Sequence, residues 1–216
     1  MTEVKYVSAL RFRWLTPLYD FFVGITMPEA SIKQSLINIS YLTDKASVLD
    51  FGCGTATLTI MAKEHRPEIK ITGIDIDKDI LNKAKRKINQ KNLDIKLTVY
   101  DGEKLPFTDF SFDRILSCLV FHHLETPVKK KILTELFRVT KKGGQIFIAD
   151  FGRSDSWFQR LLFNTIRGLD GYKPTSANAR GLMPLLIAEA GFKNTSIRKK
   201  FKTIFGEVQI LKAVKQ

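Results

Sequence analysis

Three aspartates stand at the ends of three successive predicted strands, where their carboxylates are well placed to bind a ligand. Asp50 closes an apolar run and precedes the turn Gly52-Cys53-Gly54, Asp75 ends the next predicted strand, and Asp101 follows the third. Ligands of mainly parallel sheets bind at the carboxyl ends of the strands. We therefore expect the three carboxylates to line one pocket.

The chemistry of this pocket follows from the turn and from each acid. Glycines let the backbone approach a nucleotide-like ligand, but a nicotinamide dinucleotide fingerprint requires a third glycine where this chain has Thr57. Asp50 can face a cationic amino group, Asp75 can accept from both ribose hydroxyls, and Asp101 can accept from an adenine amine while Ile76 packs on the ring. The three acids together predict an adenosine with an amino-acid tail and no phosphates. Asp50 or Asp75 alone could instead cap a helix.

Strands and helices alternate after residue 46, which predicts an α/β, doubly wound, mainly parallel sheet with helices on both faces. Strands are predicted at 48–51, 69–74, 95–100, 112–119 and 144–151, and helices at 55–65, 77–89 and 127–140. Gly143-Gly144 is interpreted as the stop of the last of these helices. Two final strands, at 195–201 and 207–214, predict an antiparallel hairpin at the sheet edge.

The segments outside this alternation are predicted to be helical. Residues 1–45 form an aromatic-rich N-terminal segment, broken at Pro17, with a second helix over 29–42. The segment packs in the core or forms a lid over an apolar substrate. A helical insertion is expected at about 152–190, with a loop at 169–174 and a helix at 182–190. The core spans 46–216, and the whole chain is expected to form one domain.

Composition excludes several classes of protein. The 216 residues are 44% hydrophobic and carry a formal net charge of +13, which suits one α/β domain with a basic surface. That surface is either simply solvated or attracted to an anionic partner such as a membrane, and nucleic acid is disfavoured because no stripe of stacking aromatics accompanies the lysines. No signal peptide or apolar run of about 18 residues is found, and Cys53 and Cys118 are interpreted as buried thiols, so a cytoplasmic enzyme is expected.

At the residues that carry these patterns, the chain resembles the class I S-adenosylmethionine-dependent methyltransferases. The resemblance covers about residues 46–151 and is specific as a set of motifs. The matching stretches are Val48-Leu49-Asp50-Phe51-Gly52-Cys53-Gly54-Thr55, Gly73-Ile74-Asp75-Ile76, Asp101-Gly102-Glu103-Lys104-Leu105-Pro106-Phe107, Ser111-Phe112-Asp113-Arg114-Ile115-Leu116-Ser117, and Leu136-Phe137-Arg138-Val139-Thr140-Lys141-Lys142-Gly143-Gly144. The chain departs from the family at Ala56, where many members have a third glycine.

This resemblance implies a Rossmann-like sheet of order 3-2-1-4-5-7-6 with an antiparallel last strand, and S-adenosyl-L-methionine as the cofactor. No metal is implied. The cofactor-binding residues that it implies are Asp50, Phe51, Gly52, Cys53, Gly54, Asp75, Ile76, Asp101, Gly102, Glu103, Ser117 and Cys118.

The expected reaction is methyl transfer to a small apolar or amphipathic acceptor. Tyr19-Asp20 and the segment 105–107 resemble the quinone-biosynthesis C-methyltransferases, whereas 119–124 has a sequence common to many general methyltransferases. A quinone or lipid-headgroup enzyme docking on membranes is therefore one alternative, and a non-catalytic cofactor-binding protein is another. RNA or protein methylation is disfavoured, because no further recognition domain is present.

Two histidines and a few lid residues are the candidates for contact with the acceptor. His122 and His123 follow the fourth strand, and one of them, with His123 favoured, is a candidate general base; a structural histidine at a helix entrance is the alternative. Tyr19, Asp20, Asp170 and Tyr172 are candidate substrate contacts, with lid packing and loop turns as the alternative. The remaining histidine, His65, is expected at the surface.

Overall fold

The computed structural model describes residues 28–153, 172–203 and 206–216, and a seven-stranded sheet runs through them. The strand order is β3-β2-β1-β4-β5-β7-β6. Strands β1 to β5 are parallel, and β7 is antiparallel to both β5 and β6. The strands are β1 (Ser47–Phe51), β2 (Lys70–Asp75), β3 (Lys96–Val99), β4 (Phe112–Cys118), β5 (Thr140–Gly152), β6 (Lys193–Thr203) and β7 (Gly206–Val214). The fold class, strand order and terminal hairpin expected from the sequence are confirmed.

Helices cover both faces of the sheet. They are α1 (Glu29–Ser40), α2 (Thr57–His65), α3 (Lys78–Gln90), α4 (Thr126–Val139), α5 (Tyr172–Ala179) and α6 (Met183–Glu189), and a 3₁₀ turn, the histidine turn, spans Phe121–His123. Helices α4, α5 and α6 pack on one face, and α1 packs on the other against β4, β5 and α2. Within the described residues, no helix is long and apolar enough to cross a membrane.

Helix α1 belongs to the core. Ile32, Leu36 and Ile37 are buried and join a cluster with Val48 of β1 and Phe147 of β5. The helix predicted over 29–42 is therefore packed on the sheet. The part of the expected lid that precedes it, residues 1–27, lies outside the described residues.

Local chain geometry moves some element boundaries from their predicted positions. Helix α2 begins at Thr57 rather than at residue 55, because Ala56 has a left-handed backbone with φ of 59°. Gly143-Gly144 does not stop a helix: α4 ends at Val139 and the chain continues directly into β5. The glycine pair instead lies in the irregular start of β5, where Gly143 has φ of 74°. The loop predicted over 169–174 is wrong from residue 172, where α5 begins.

Candidate active site

The glycine turn between β1 and α2 is held by hydrogen bonds to strand β2. The N–H groups of Gly52 and Cys53 donate to the carbonyl of Ile74 at 2.9 and 3.0 Å. A Cβ on Gly52 would lie 2.4 Å from a methyl carbon of Val120, so only glycine fits there. A Cβ on Gly54, by contrast, would meet no described atom within 4 Å. The turn thus has a closed side toward Val120 and an open side, which suits a bound ligand.

Asp75 ties the end of β2 to this turn. Its Oδ2 accepts from Gly54 N at 2.8 Å and its Oδ1 accepts from Asp77 N at 3.0 Å. Ile76, next to it, is 37% exposed. A carboxylate has about four lone-pair sites, so Asp75 can still accept from a ligand's hydroxyl groups.

The third acid of the series lies in a more open position. Asp101 is exposed, and its Oδ1 accepts from the N–H of Glu103 at 2.8 Å, which shapes the loop after β3. Glu103 is exposed and paired with Lys131, and Gly102 lies half-buried between the two acids. Because β1, β2 and β3 are adjacent and parallel, Asp50, Asp75 and Asp101 lie along one edge of the sheet.

Asp50 is fully buried, and Thr59 of α2 is the described residue that donates to it, with its hydroxyl 2.6 Å from Oδ2. Burial is the main reason why the pKa of Asp50 is raised to about 6, and the nearby charge of Asp75 acts in the same direction. The hydrogen bond from Thr59 and the attraction of Lys33 act in the opposite direction. A buried carboxylate in this state gains from any cation brought to it.

The residues at the end of β4 hold the sheet together beside the turn. Ser117 is buried, and its hydroxyl donates to the carbonyl of Phe51 at 3.0 Å, across from β4 to β1. Leu119 follows with a left-handed φ of 59°, a strained conformation for leucine. Cys53 and Cys118 are free thiols whose pKa values are raised above the usual range by burial, so neither is a reactive thiolate.

The histidine turn is held by an acid that the sequence analysis missed. Asp150 near the end of β5 is buried, and its Oδ1 lies 2.8 Å from Nδ1 of His122. Its Oδ2 accepts from the backbone N–H of Phe121 at 2.7 Å and of His122 at 3.3 Å. Asn178 of α5, also buried and also missed, donates to Asp150 Oδ1 at 3.3 Å. The sequence offered one signal for Asp150, because this aspartate directly follows the apolar run 146–149.

His123 packs against His122, with ring centroids 3.9 Å apart and the ring planes inclined at 44°. Burial lowers the pKa of His123 to about 3, and the neighbouring His122 lowers it further against the attraction of Asp150. Behind the turn, Lys129 is buried and donates to the carbonyl of Leu124 at 2.6 Å, and burial lowers its pKa to about 8. Because its pKa is about 3, His123 is neutral at physiological pH and holds a proton poorly.

The remaining candidates divide into exposed residues and residues that the structure does not describe. His65 is exposed, as expected. Tyr19, Asp20 and Asp170 lie outside the described residues, and so does the side chain of Tyr172, the first residue of α5. The assignments of individual cofactor and acceptor contacts stay predictions.

Comparison with known proteins gives the class of this chain. A family model described as "Methyltransferase domain" matches residues 48–144, the segment from β1 into the start of β5. Together with the sheet order and the fold that the chain shares with solved methyltransferases, this match supports an S-adenosylmethionine-dependent methyltransferase of class I, with S-adenosylmethionine as its cofactor. The open side of the turn at Gly54 and the acceptor capacity of Asp75 fit that cofactor.

Individual proteins similar to this chain have more specific names. The demethylmenaquinone methyltransferase of Listeria welshimeri is 29% identical over 169 residues, which span 76% of this chain and 71% of that relative. A SAM-dependent methyltransferase from Aquifex aeolicus has the same fold, with a TM-score of 0.66, 19% identity, and coverage of 90% of this chain and 97% of its own. A phosphoethanolamine N-methyltransferase from Haemonchus contortus, solved with phosphomonomethylethanolamine and S-adenosylhomocysteine, superposes with a TM-score of 0.71 at 14% identity, over 91% of this chain and 56% of its own.

Proposed function

We propose that this methyltransferase acts on a small apolar or amphipathic acceptor, and that a demethylated quinol is the acceptor class to test first. The observation that carries the proposal is a cluster of buried aromatic side chains at the strand ends beside the glycine turn. The rings of Phe51 and Phe121 lie 6.0 Å apart, and Phe151 packs edge-on against His122 at 5.1 Å. A strongly charged acceptor would lose its hydration beside such an apolar cluster without gaining a partner. The name of the Listeria relative supports a quinone-type acceptor.

The chain's own residues have defined tasks in this reaction. We assign Asp50, Gly52, Gly54 and Asp75 to holding the cofactor, on the strength of the open turn and the acceptors around it. S-adenosylmethionine supplies a methyl group on a positively charged sulfur, which keeps the electron pair of the broken bond. Catalysis by the protein is then mainly alignment of the acceptor and exclusion of water.

A transfer assay with two contrasting acceptors tests the proposal. The protein is incubated with methyl-labelled S-adenosylmethionine and a reduced short-chain demethylmenaquinone, and in parallel with phosphoethanolamine as the polar control. We expect label in the extracted quinol and none on phosphoethanolamine. Label on phosphoethanolamine, or no transfer to the quinol by protein that binds the cofactor in a calorimeter, would contradict the proposed acceptor class.

We propose, second, that the basic edge of the sheet brings the enzyme to an anionic membrane where an apolar acceptor resides. Strand β6 exposes Arg198, Lys199, Lys200 and Lys202 beside Ile197, which is 44% exposed. This combination of cations and an apolar side chain suits an anionic lipid surface. The alternative explanation for these basic side chains is that they protect an edge strand, because lysines on an edge strand discourage pairing with other chains.

Sedimentation with lipid vesicles separates these two explanations. Membrane docking predicts binding to phosphatidylglycerol vesicles that weakens with salt, and no binding to phosphatidylcholine vesicles. The double variant Arg198→Glu with Lys202→Glu is expected to lose the binding. Lys96→Glu, on β3 at the opposite edge of the sheet, is the matched control and is expected to keep it. Binding that does not depend on lipid charge, or that is unchanged in the β6 double variant, would count against docking.

A further inference from the structure

Asp150 accepts hydrogen bonds from an unusually large set of groups for one buried carboxylate. Its Oδ1 receives Nδ1–H of His122, the N–H of Phe151 at 2.7 Å and the amide of Asn178, and its Oδ2 receives the N–H groups of Phe121 and His122. Burial alone raises the pKa of Asp150, but His122 and these hydrogen bonds outweigh burial and lower it overall. Asp150 is thus a fixed negative charge within the fold.

These contacts determine which nitrogen of His122 carries a proton. A carboxylate only accepts, so Nδ1 of His122 must donate to it, and in the neutral ring Nε2 is then the acceptor. The same carboxylate also holds the backbone of the histidine turn through Oδ2. Asp150 therefore fixes the position, the orientation and the tautomer of His122 together.

Asn178 supports this carboxylate from another element. Besides Asp150 Oδ1, its Nδ2 donates to the carbonyl of Phe151 at 2.8 Å, so it bridges α5 to the end of β5. Its own Oδ1 is buried and has no hydrogen-bond partner among the described residues. Asn178 thus holds the Asp150 carboxylate from α5 while it is itself anchored to the backbone of β5.

We propose that Asp150 and Asn178 are positioning residues that hold His122 as the general base for the methyl acceptor. The inference rests on the proposed function, since it assumes an acceptor whose O–H, N–H or acidic C–H proton must leave. That proton passes to Nε2 of His122, the acceptor keeps the electron pair with which it attacks the methyl carbon, and the proton is later released to water. The resulting imidazolium is stabilised by the Asp150 carboxylate.

The neighbouring His123 is less suited to this role. It lacks a described carboxylate partner, and the charged form of its ring is disfavoured by burial and by His122. Asp150 on β5 interacts electrostatically with His122 and His123 of the histidine turn, with Lys129 on α4 and with Cys118 at the end of β4. Asp150 is the one among them that carries a negative charge at neutral pH, so it is the group that can offset a positive charge on His122.

Nitrogen NMR of ¹⁵N-histidine-labelled protein tests the positioning directly and needs no acceptor. At about pH 8 we expect His122 in the wild type to be protonated on Nδ1 and free on Nε2. In Asp150→Asn, the carboxylate that accepts from Nδ1 becomes a neutral amide whose nitrogen faces backbone donors in either orientation, so the preference for the Nδ1–H tautomer should weaken. Asp109→Asn, an exposed acid on Arg138, is the control and should leave the tautomer unchanged. An Nε2–H tautomer in the wild type would overturn the inference.

Kinetics with the reduced demethylmenaquinone add a second readout. Asp150→Asn and His122→Asn are each expected to lower kcat by about 100-fold, with the dissociation constant of S-adenosylmethionine changed by less than about threefold. His122→Asn keeps a donor where Nδ1 was, so it serves if Asp150→Asn does not fold. Asn178→Ala should lower kcat by about tenfold. A folded His122→Asn that keeps kcat within about threefold would refute the base. The wild-type tautomer together with no quinol methylation would leave the positioning intact and refute the acceptor.

Discussion

Asp50 and Asp150 are the same residue type at the same depth, on strands separated only by β4, yet their surroundings are opposite. Asp50 is buried with one described residue, Thr59, donating to it, and its pKa is raised to about 6 by burial. Asp150 is buried with His122, Asn178 and three backbone N–H groups around it, and its pKa is lowered because these donors outweigh burial.

The two carboxylates differ in how far their charge is balanced by groups of the chain itself. The charge of Asp150 has its partners within the chain, so it can serve as a fixed support for another group. The charge of Asp50 is under-compensated in the free protein, which is the state expected of a carboxylate whose cation arrives with a ligand. The amino group of the cofactor is the cation that we propose for it.

The test with the largest expected effect replaces each acid by asparagine in a separate variant and measures unfolding in urea at neutral pH. Asp50→Asn should stabilise the ligand-free protein by up to about 3 kcal/mol, because it removes a carboxylate that is ionised against a raised pKa. Asp150→Asn should destabilise it by about 2–4 kcal/mol, because it breaks a satisfied buried network. Two changes of the same sign would contradict the comparison.

The pH dependence of these differences follows from the direction of each shift. The stability that Asp50 contributes is fully present below its unfolded pKa of 3.8 and is lost as pH rises through about 6. The advantage of Asp50→Asn should therefore disappear near pH 4. The contribution of Asp150 is present above its unfolded pKa of 3.8 and is lost as pH falls through its lower folded pKa. An advantage of Asp50→Asn that persists at pH 4 would mean that charge is not its cause.

The second test concerns affinity for the cofactor. Asp75→Ala should weaken S-adenosylmethionine binding by more than about tenfold in calorimetry, because a bidentate acceptor beside the open glycine turn is lost. Asp50→Asn should weaken it by a similar factor, whereas Asp150→Asn should change it little. Thr108→Ala, in the loop before β4 and away from the glycine turn, is the control. Weaker binding in Asp150→Asn than in Asp50→Asn would reverse the roles assigned to the two acids.

A third test follows the proton of Asp50 during binding. If the cofactor's cation meets this carboxylate, binding lowers its pKa from about 6, and the protein releases a proton when it binds near that pH. Calorimetry in two buffers with different ionisation enthalpies measures the release. We expect less than one proton per site near pH 6, and none for Asp50→Asn. Proton uptake, or release that survives in Asp50→Asn, would exclude the assignment.

The two regions also differ in how far the sequence could predict them. The turn around Gly52 and Gly54 and the acid Asp75 lie within one strand-helix-strand unit, so local pattern was enough to bring them together. The support of His122 depends on Asp150 and Asn178, which are each 28 residues further along the chain than their partner, and no local pattern links residues at that separation. Sequence therefore indicated that a histidine follows β4 but could not tell which of the two faces a carboxylate.

The same limit explains the errors in element boundaries. Gly143-Gly144 predicted a helix stop, but the end of α4 is set by the pairing of Thr140 with Phe112 of β4, which begins strand β5 at once. Pairing between strands is a tertiary effect, and it overrides a local glycine signal. The start of α2 was misplaced by the left-handed residue Ala56, whose type gave no warning of its backbone conformation.

The smallest expected effect is that of Ala56→Gly, at the residue where many family members have glycine. Ala56 has φ of 59°, and a left-handed alanine costs about 1–2 kcal/mol that glycine would relieve. Its methyl group, however, is fully buried beside Ile60 and Ala84, and removing it costs about 0.8 kcal/mol, while glycine also gains freedom in the unfolded chain. These terms nearly cancel, so urea unfolding should show a change of less than about 1 kcal/mol, with cofactor affinity within about threefold. A loss of more than about 2 kcal/mol would show that burial of this methyl group outweighs the backbone strain, and the departure from glycine would then be a packing adaptation of the turn.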